Sequence, residues 1–351
     1  MLKQKNINRL SFRKAHLRSS DEVVSLLRDI RDKKLPRSKK PKDLKNSMLQ
    51  GADLEGVDLS GVDLSGSDLS GANLKGARLF KANLSGCILK KAILDDAELS
   101  GADLSRADME EVSAINAGFG MAKLVEVNLF EGNLTGATLT MAEIRGANMQ
   151  CCRLEGARLR EAKLLNTDLT NADLRGVDMS LSSVDGSRFT NADLRGARLR
   201  QLSGYETADW IGVDLRDINF SGAYLLRRFI MDQNFLKEFR DRNRYTRIIY
   251  YLWLVTSDCG RSMTRWCAWT LLFIIGFGLL YSFTGVDYGE HRTWFSPFYY
   301  SVVTFTTLGY GDVVPAGVVS QFLAIIEVTI GYVMLGGLLS IFANKMARRA
   351  D

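Results

Sequence analysis

Histidine is almost missing from this chain: His16 and His291 are the only two in 351 residues. With so few imidazoles, and with no nucleophile elbow, phosphate-binding glycine loop or metal-ligand cluster, the pattern excludes the common catalytic constellations and predicts a non-enzyme without a cofactor. Cysteine is sparse and odd in number. Cys87, Cys151, Cys152, Cys259 and Cys267 lack the spacing of a metal site or a disulfide framework, which suits small packing residues in a reduced, cytoplasm-facing protein. No apolar run appears before residue 240, so a secretory signal is not expected.

What is present falls into regions of opposite charge. Residues 1–45 hold fifteen Lys plus Arg against five Asp plus Glu, residues 46–226 hold 18 against 26, and residues 227–351 hold 13 against 9. Arg13-Lys14 and the stretch from Arg31 to Lys45 make the first region basic, and Asp21 and Glu22 ahead of Val23 to Ile30 predict a short helix within it. The basic segment lacks interleaved aromatics. Nucleic acid is therefore disfavoured, and anionic lipid or an acidic protein surface is the nearer partner.

The acidic middle is a repeat. From Ala52 to Gln201 the chain reads in one five-residue frame with a small residue first and usually leucine third, as in Ala52-Asp53-Leu54-Glu55-Gly56 and Ala192-Asp193-Leu194-Arg195-Gly196. Neither the helical nor the strand period divides five, so only a chain that turns a corner at each repeat keeps every leucine on one side. The pattern resembles the pentapeptide-repeat family, which implies a right-handed quadrilateral β-helix with four repeats per coil and residue i stacked on i+20. Leu54, Leu74, Leu94, Ala114, Leu134, Leu154, Leu174 and Leu194 then form one interior column. Where Ala114 and Val184 leave space, Phe119 and Phe189 fill the third position of the next repeat, holding interior volume roughly constant. Asp residues at the second position are expected at solvated corners. After Gln201 the frame slips by one near Ser203-Gly204-Tyr205 and resumes at Ala208-Asp209-Trp210, Val213-Asp214-Leu215 and Ile218-Asn219-Phe220. Trp210, Phe220 and Tyr224 are expected to cap the open apolar end.

Two long apolar stretches follow. Residues 266–283 carry no charge and residues 318–342 carry one, Glu327; each is long enough to span a bilayer as a helix. Arg261 and Arg265 precede the first and Lys345, Arg348 and Arg349 follow the second, while Asp287, Glu290, Arg292 and Asp312 lie between, which places both termini in the cytoplasm. Ahead of them, Phe229, Ile230, Phe235, Leu236 and Phe239 recur among arginines and lysines at helical spacing, so residues 227–265 are expected to form amphipathic and interfacial linker helices. That segment is either a lever or a static anchor. Asp258 is expected to N-cap the first span, and Ser296 and Pro297 suit N-cap and N1 of a short re-entrant helix over residues 296–306.

That helix leads into Thr307-Leu308-Gly309-Tyr310-Gly311-Asp312. Glycines at alternate positions permit φ > 0, so successive carbonyls can turn toward one axis. The stretch resembles the pore signature of potassium channels, usually T-V-G-Y-G, with Leu308 where Val or Ile is common. The resemblance implies an all-α two-span membrane pore domain over residues 266–351 with the filter at 307–311, four subunits around one pore, and K+ held by the carbonyls of Thr307, Leu308, Gly309 and Tyr310 plus the Thr307 hydroxyl. It also implies filter geometry set by Gly309 and Gly311, a carboxylate ring at the outer mouth from Asp312, buttressing by Tyr299 and Tyr300, and a hinge at Gly331. Leu335, Leu339 and Phe342 are candidates for a hydrophobic gate. Glu327 either joins the pore wall or turns toward Ser301, Thr304 or Tyr300 as filter support; mutual repulsion of four charges favours the second.

The expected protein is thus a homotetrameric, potassium-selective channel in a cell membrane of bacterial inner-membrane type. Its parts are a basic segment (1–45), a β-helix (46–226), linker helices (227–265) and a pore (266–351). No arginine-periodic voltage sensor is present, and no nucleotide-binding or Rossmann-like regulator is expected in the nine residues after Phe342. Regulation would enter through the solenoid. A non-selective cation pore, through Leu308, and a membrane-tethered scaffold binding a protein partner are the alternatives.

Overall fold

The computed structural model describes residues 20–32, 41–218, 220, 223–289 and 293–347. The readings that rest on Arg13, Lys14, His16, residues 33–40, Asn219, Glu290, His291, Arg292, Arg348 and Arg349 lie outside the described residues. Two compact units divide the chain, Met1–Phe235 and Leu236–Asp351.

The first unit is a β-helix. Parallel bridges pair residue i with i+20 from Asp43↔Asp63 to Ser183↔Ser203, the stacking that four five-residue sides produce. The ladder starts ahead of residue 46 because Leu44 and Leu49 already occupy interior positions. Each coil is stitched to the next in both directions, as by Leu54 N–H donating to the Asn73 carbonyl at 2.7 Å and Asn73 N–H to that of Ala52 at 2.9 Å. The column from Leu54 to Leu194 is wholly buried, as are Phe119 and Phe189.

Corners follow a rule that leucine spacing does not show. The fifth position is left-handed throughout, with φ of +62° at Gly56, +53° at Lys81 and +54° at Asn166, which explains why glycine is favoured there. Second-position carboxylates are not simply solvated, as expected, but half-buried turn acceptors: Asp58, Asp103 and Asp178 each take the N–H two residues on, at 3.0, 3.0 and 3.1 Å. A corner that bends this tightly leaves that N–H without a ladder partner, and the side chain supplies one.

At the first position, small polar groups donate to interior carbonyls: Cys87 Sγ to Leu64 at 2.9 Å and Cys152 Sγ to Leu129 at 2.7 Å. Burial pushes the Cys87 thiol up to about 11 and the Cys152 thiol up to about 12. The native protein should therefore alkylate at these two sites at least ~100-fold more slowly than the unfolded chain at pH 8, since the thiolate is the nucleophile. Peptide mass spectrometry after a timed iodoacetamide pulse measures this, and equal labelling in both states would contradict an interior position.

Both ends of the solenoid are covered by helices. At the first, α1 (Ser20–Arg31) buries Val23, Val24 and Leu27 on the core, while Arg28 pairs with Asp53 at 2.9 Å and Arg31 donates to the Glu55 carbonyl at 2.8 Å. At the other, the bridges shift to i+21 at Arg188↔Asp209 and Asp193↔Asp214, the frame slip placed by the sequence. Trp210 stacks on Phe189 with centroids 4.3 Å apart, and Phe220 packs on the core, but Tyr224 is exposed. Its expected place is taken by α2 (Tyr224–Arg242), which buries Leu226 and Ile230 instead. Gln233 and Asn234 of that helix imitate a further coil. Their side chains accept from the N–H groups of Trp210 and Gly212, both at 2.7 Å, and donate to the carbonyls of Ala208 and Trp210 at 3.1 and 3.0 Å, satisfying an edge that would otherwise be open.

The second unit is helical. Asn243 N-caps α3 (Arg244–Ser257) through a reciprocal bond with Thr246. Asp258 is the left-handed C-cap of α3, at φ +52°, and not the N-cap of the next helix; Ser262 caps α4 (Met263–Ser282) by accepting from Arg265 N–H. A short antiparallel pair, β1 (Val286–Asp287) with β2 (Val314–Pro315), brackets α5 (Ser296–Phe305), and α6 (Val318–Ala347) completes the unit. Residues 263–282 of α4 and 318–343 of α6 are long and apolar enough to cross a membrane. On α3, Ile248, Tyr251, Leu252 and Val255 are exposed.

Candidate functional site

Helix α5 is the part that aims the glycine-rich strand. Pro297 lies in its first turn, but Ser296 is not its N-cap: the cap position is Phe295, without a side-chain bond, because the Ser296 hydroxyl is drawn back to accept from Thr293 N–H at 2.8 Å. Tyr300, Ser301, Val303 and Phe305 are buried. Gly331 of α6 backs directly onto the end of this helix, where an added Cβ would run into the Phe305 carbonyl oxygen. In this uninterrupted helix its observed part is close packing.

The strand after α5 alternates in handedness. Thr307, Gly309 and Gly311 have φ of +58°, +52° and +78°, and Leu308 and Tyr310 between them are not left-handed. Thr307 is the member that glycine spacing could not reveal. A β-branched residue is strained at positive φ, and it is held there by its N–H on the Thr304 carbonyl at 3.1 Å and its hydroxyl on the Thr306 carbonyl at 2.7 Å. Residues 307–312 are exposed on the single chain, and among the described residues no hydrogen bond ends on the carbonyls of Thr307, Leu308, Gly309 or Tyr310. The stretch presents a short row of unsatisfied acceptors.

Its flanks are tied down. Tyr299 donates its hydroxyl to Asp312 at 2.7 Å, joining α5 to the residue after the glycine strand. Tyr300 instead turns inward, edge-on to Tyr281 of α4 with centroids 4.8 Å apart. Glu327 is fully buried and lies 2.5 Å from the Ser301 hydroxyl; Tyr281 faces it from α4. Sequence reasoning missed Tyr281, since nothing sets it apart from other apolar-face aromatics. A cavity of about 400 Å³ opens between Tyr300, Thr304, Gly309, Asp312, Val328 and Tyr332. Farther along α6, Leu335 is half-buried while Leu339 and Phe342 are exposed. No cluster of metal-ligating His, Cys, Asp or Glu side chains occurs among the described residues.

Comparison with known proteins agrees with this division. Residues 268–348 match a family model described as an ion channel, and the stretch 43–201 is covered by matches to pentapeptide repeats. Two-pore potassium channel 4 of Arabidopsis thaliana is 40% identical over 73 residues, 20% of this chain and 26% of that protein. The chain thus spans about a quarter of the length of that relative. Among solved structures, HetL, a pentapeptide-repeat protein of the cyanobacterium Nostoc sp. strain PCC 7120, is 24% identical with a TM-score of 0.31, covering 57% of this chain and 98% of its own. QnrB1, a plasmid-mediated fluoroquinolone resistance protein, is 22% identical with a TM-score of 0.34, covering 53% and 96%.

Proposed function

For a chain that joins a pentapeptide-repeat β-helix to a region matching an ion-channel family, we propose potassium-selective conduction by a homotetramer whose filter is residues 307–311. Both families are of non-enzymatic kinds. The observation that carries the reading is the alternation of φ at Thr307, Gly309 and Gly311, with four consecutive carbonyls that no described hydrogen bond uses. One strand supplies only a quarter of a coordination shell, so four copies around an axis are required. Thr307, Leu308, Gly309 and Tyr310 would coordinate K+, Asp312 would ring the outer mouth, and Leu335, Leu339 and Phe342 would line the inner end. The charge asymmetry across α4 and α6 supports a cytoplasmic position for both termini, and the apolar face of α3 suits the inner membrane surface. The solenoid is then a cytoplasmic domain through which regulation reaches the pore.

Purified protein in planar bilayers tests this. Under bi-ionic K+ and Na+, the reversal potential should move by more than ~59 mV from zero toward K+, the shift expected for a tenfold preference. A reversal potential at zero would overturn selectivity and leave a non-selective cation pore; the absence of any current would overturn conduction.

A further inference from the structure

Behind the strand of residues 307–311, three helices meet at a set of oxygens whose hydrogens do not balance if Glu327 is ionised. Ser301 of α5 has one hydroxyl hydrogen, yet its Oγ lies 2.8 Å from the Ile274 carbonyl oxygen of α4 and 2.5 Å from Glu327 Oε1 of α6. A carbonyl only accepts. If the hydroxyl serves Ile274, the hydrogen in the shorter contact has to come from Glu327; if it serves Glu327, two oxygens face each other at 2.8 Å with no hydrogen between them. Only a protonated Glu327 fills both contacts.

The surroundings point the same way. Glu327 and Ser301 are wholly buried within a single chain. Among the described residues the titratable groups facing Glu327 are Tyr281 from α4 and Tyr300 from α5, with no lysine, arginine or histidine. Among the described residues neither Glu327 Oε2 nor the Tyr281 hydroxyl meets the full geometry of a hydrogen bond, although the two side chains interact. A carboxylate here would be a charge taken out of water with no counter-charge, an arrangement that membrane interiors tolerate poorly.

We infer that Glu327 is a neutral carboxylic acid whose proton closes a relay, Glu327 O–H to Ser301 Oγ and Ser301 O–H to the Ile274 carbonyl, and that this relay positions α5 and, through it, the filter. The positioning role rests on residues 307–311 being a conducting filter. Glu327 touches no permeant ion in this arrangement. It fixes the helix that ends at Phe305, two residues before Thr307. Loss of the proton leaves Ser301 with two acceptors for one hydrogen, so one of the three helices is released.

The test uses the full chain in lipid vesicles and has two arms. Infrared difference spectra of wild type against Glu327→Gln at neutral pH should show the C=O stretch of a protonated carboxyl; carboxylate bands in its place would overturn the assignment. This arm needs no conduction, so it decides the proton even if wild-type vesicles carry no K+ flux, a result that would sink the filter reading instead. In the flux arm, Glu327→Gln, whose amide N–H can replace the donor, should stay within about threefold of wild type, whereas Glu327→Leu and Ser301→Ala should lose about tenfold or more. Raising the pH far enough to ionise Glu327 should lower wild-type flux and spare Glu327→Gln. Identical alkaline profiles would overturn the role of the proton, and full flux in Glu327→Leu would overturn positioning. Should Glu327→Leu fail to assemble, the infrared spectra and the wild-type and Glu327→Gln profiles still decide.

Discussion

Gly309→Ala should abolish K+ current without preventing assembly. At φ +52° the residue sits in the left-handed region, and an added Cβ there would meet nothing within 4 Å, so the penalty is one of backbone conformation and not of space. For an L-residue that penalty is about 1–2 kcal/mol, and four subunits would bring it to about 4–8 kcal/mol against the conducting geometry. Thr307 shows how the same region is tolerated elsewhere. Its N–H and hydroxyl are both bonded to the end of α5, whereas no described hydrogen bond involves the Gly309 N–H. Alanine at 309 therefore has nothing to hold it and should swing its peptide away from the axis. Single-channel recording beside gel filtration measures both halves of the expectation; K+ current above about a tenth of wild type, roughly 1.4 kcal/mol, would mean the alternation is not essential.

Leu134→Asp should unfold the solenoid, and Asp103→Ala should not. Leu134 is wholly buried in the interior column, between Ala114 and Leu154 in the adjacent coils. An unpaired carboxylate there costs several kcal/mol, a large part of the roughly 5–15 kcal/mol that typically holds a domain together. Asp103 contributes one bond to Ser105 N–H at 3.0 Å, and its loss should cost about 1 kcal/mol. Circular dichroism of the two variants makes the comparison, and an equal loss of β signal would mean that position 134 does not face the core.

How much of this was readable in advance depends on whether a feature repeats. The five-residue period places thirty near-identical sides, so Leu54 predicts the burial of Leu74, Leu94 and their successors, and even the one-residue slip after Gln201 was legible as a break in phase. The glycine strand was legible because few backbones need that alternation. Features that occur once were harder. Gln233 and Asn234 cap a β-helix from within an ordinary-looking helix, and no local pattern distinguishes them from other polar residues. Ser296 and Asp258 are good N-cap residues by type, yet Thr293 claims the first and the end of α3 claims the second. Gly331 read as a hinge from its distance to the filter; its contact with Phe305 depends on how α5 and α6 pack, which sequence spacing does not report.

The two end helices of the β-helix turn it into a ruler with fixed graduations. The polar contacts of α1 go to the neighbourhood of Asp53 and Glu55, and the Gln233 and Asn234 amides of α2 bond Ala208 to Gly212, so whole coils between them are interchangeable. Adding or removing twenty residues changes the distance between the lids by one step of about 4.8 Å and leaves their rotational phase unaltered. Five residues instead advance the chain by one side, so α2 would start a quarter turn away. The extra residue near Gly204 shows the third case: absorbed in a corner, it costs neither length nor phase, and the bridges resume one residue later. Corner loops of such a domain are free to vary singly, while its length is free to vary only in twenties.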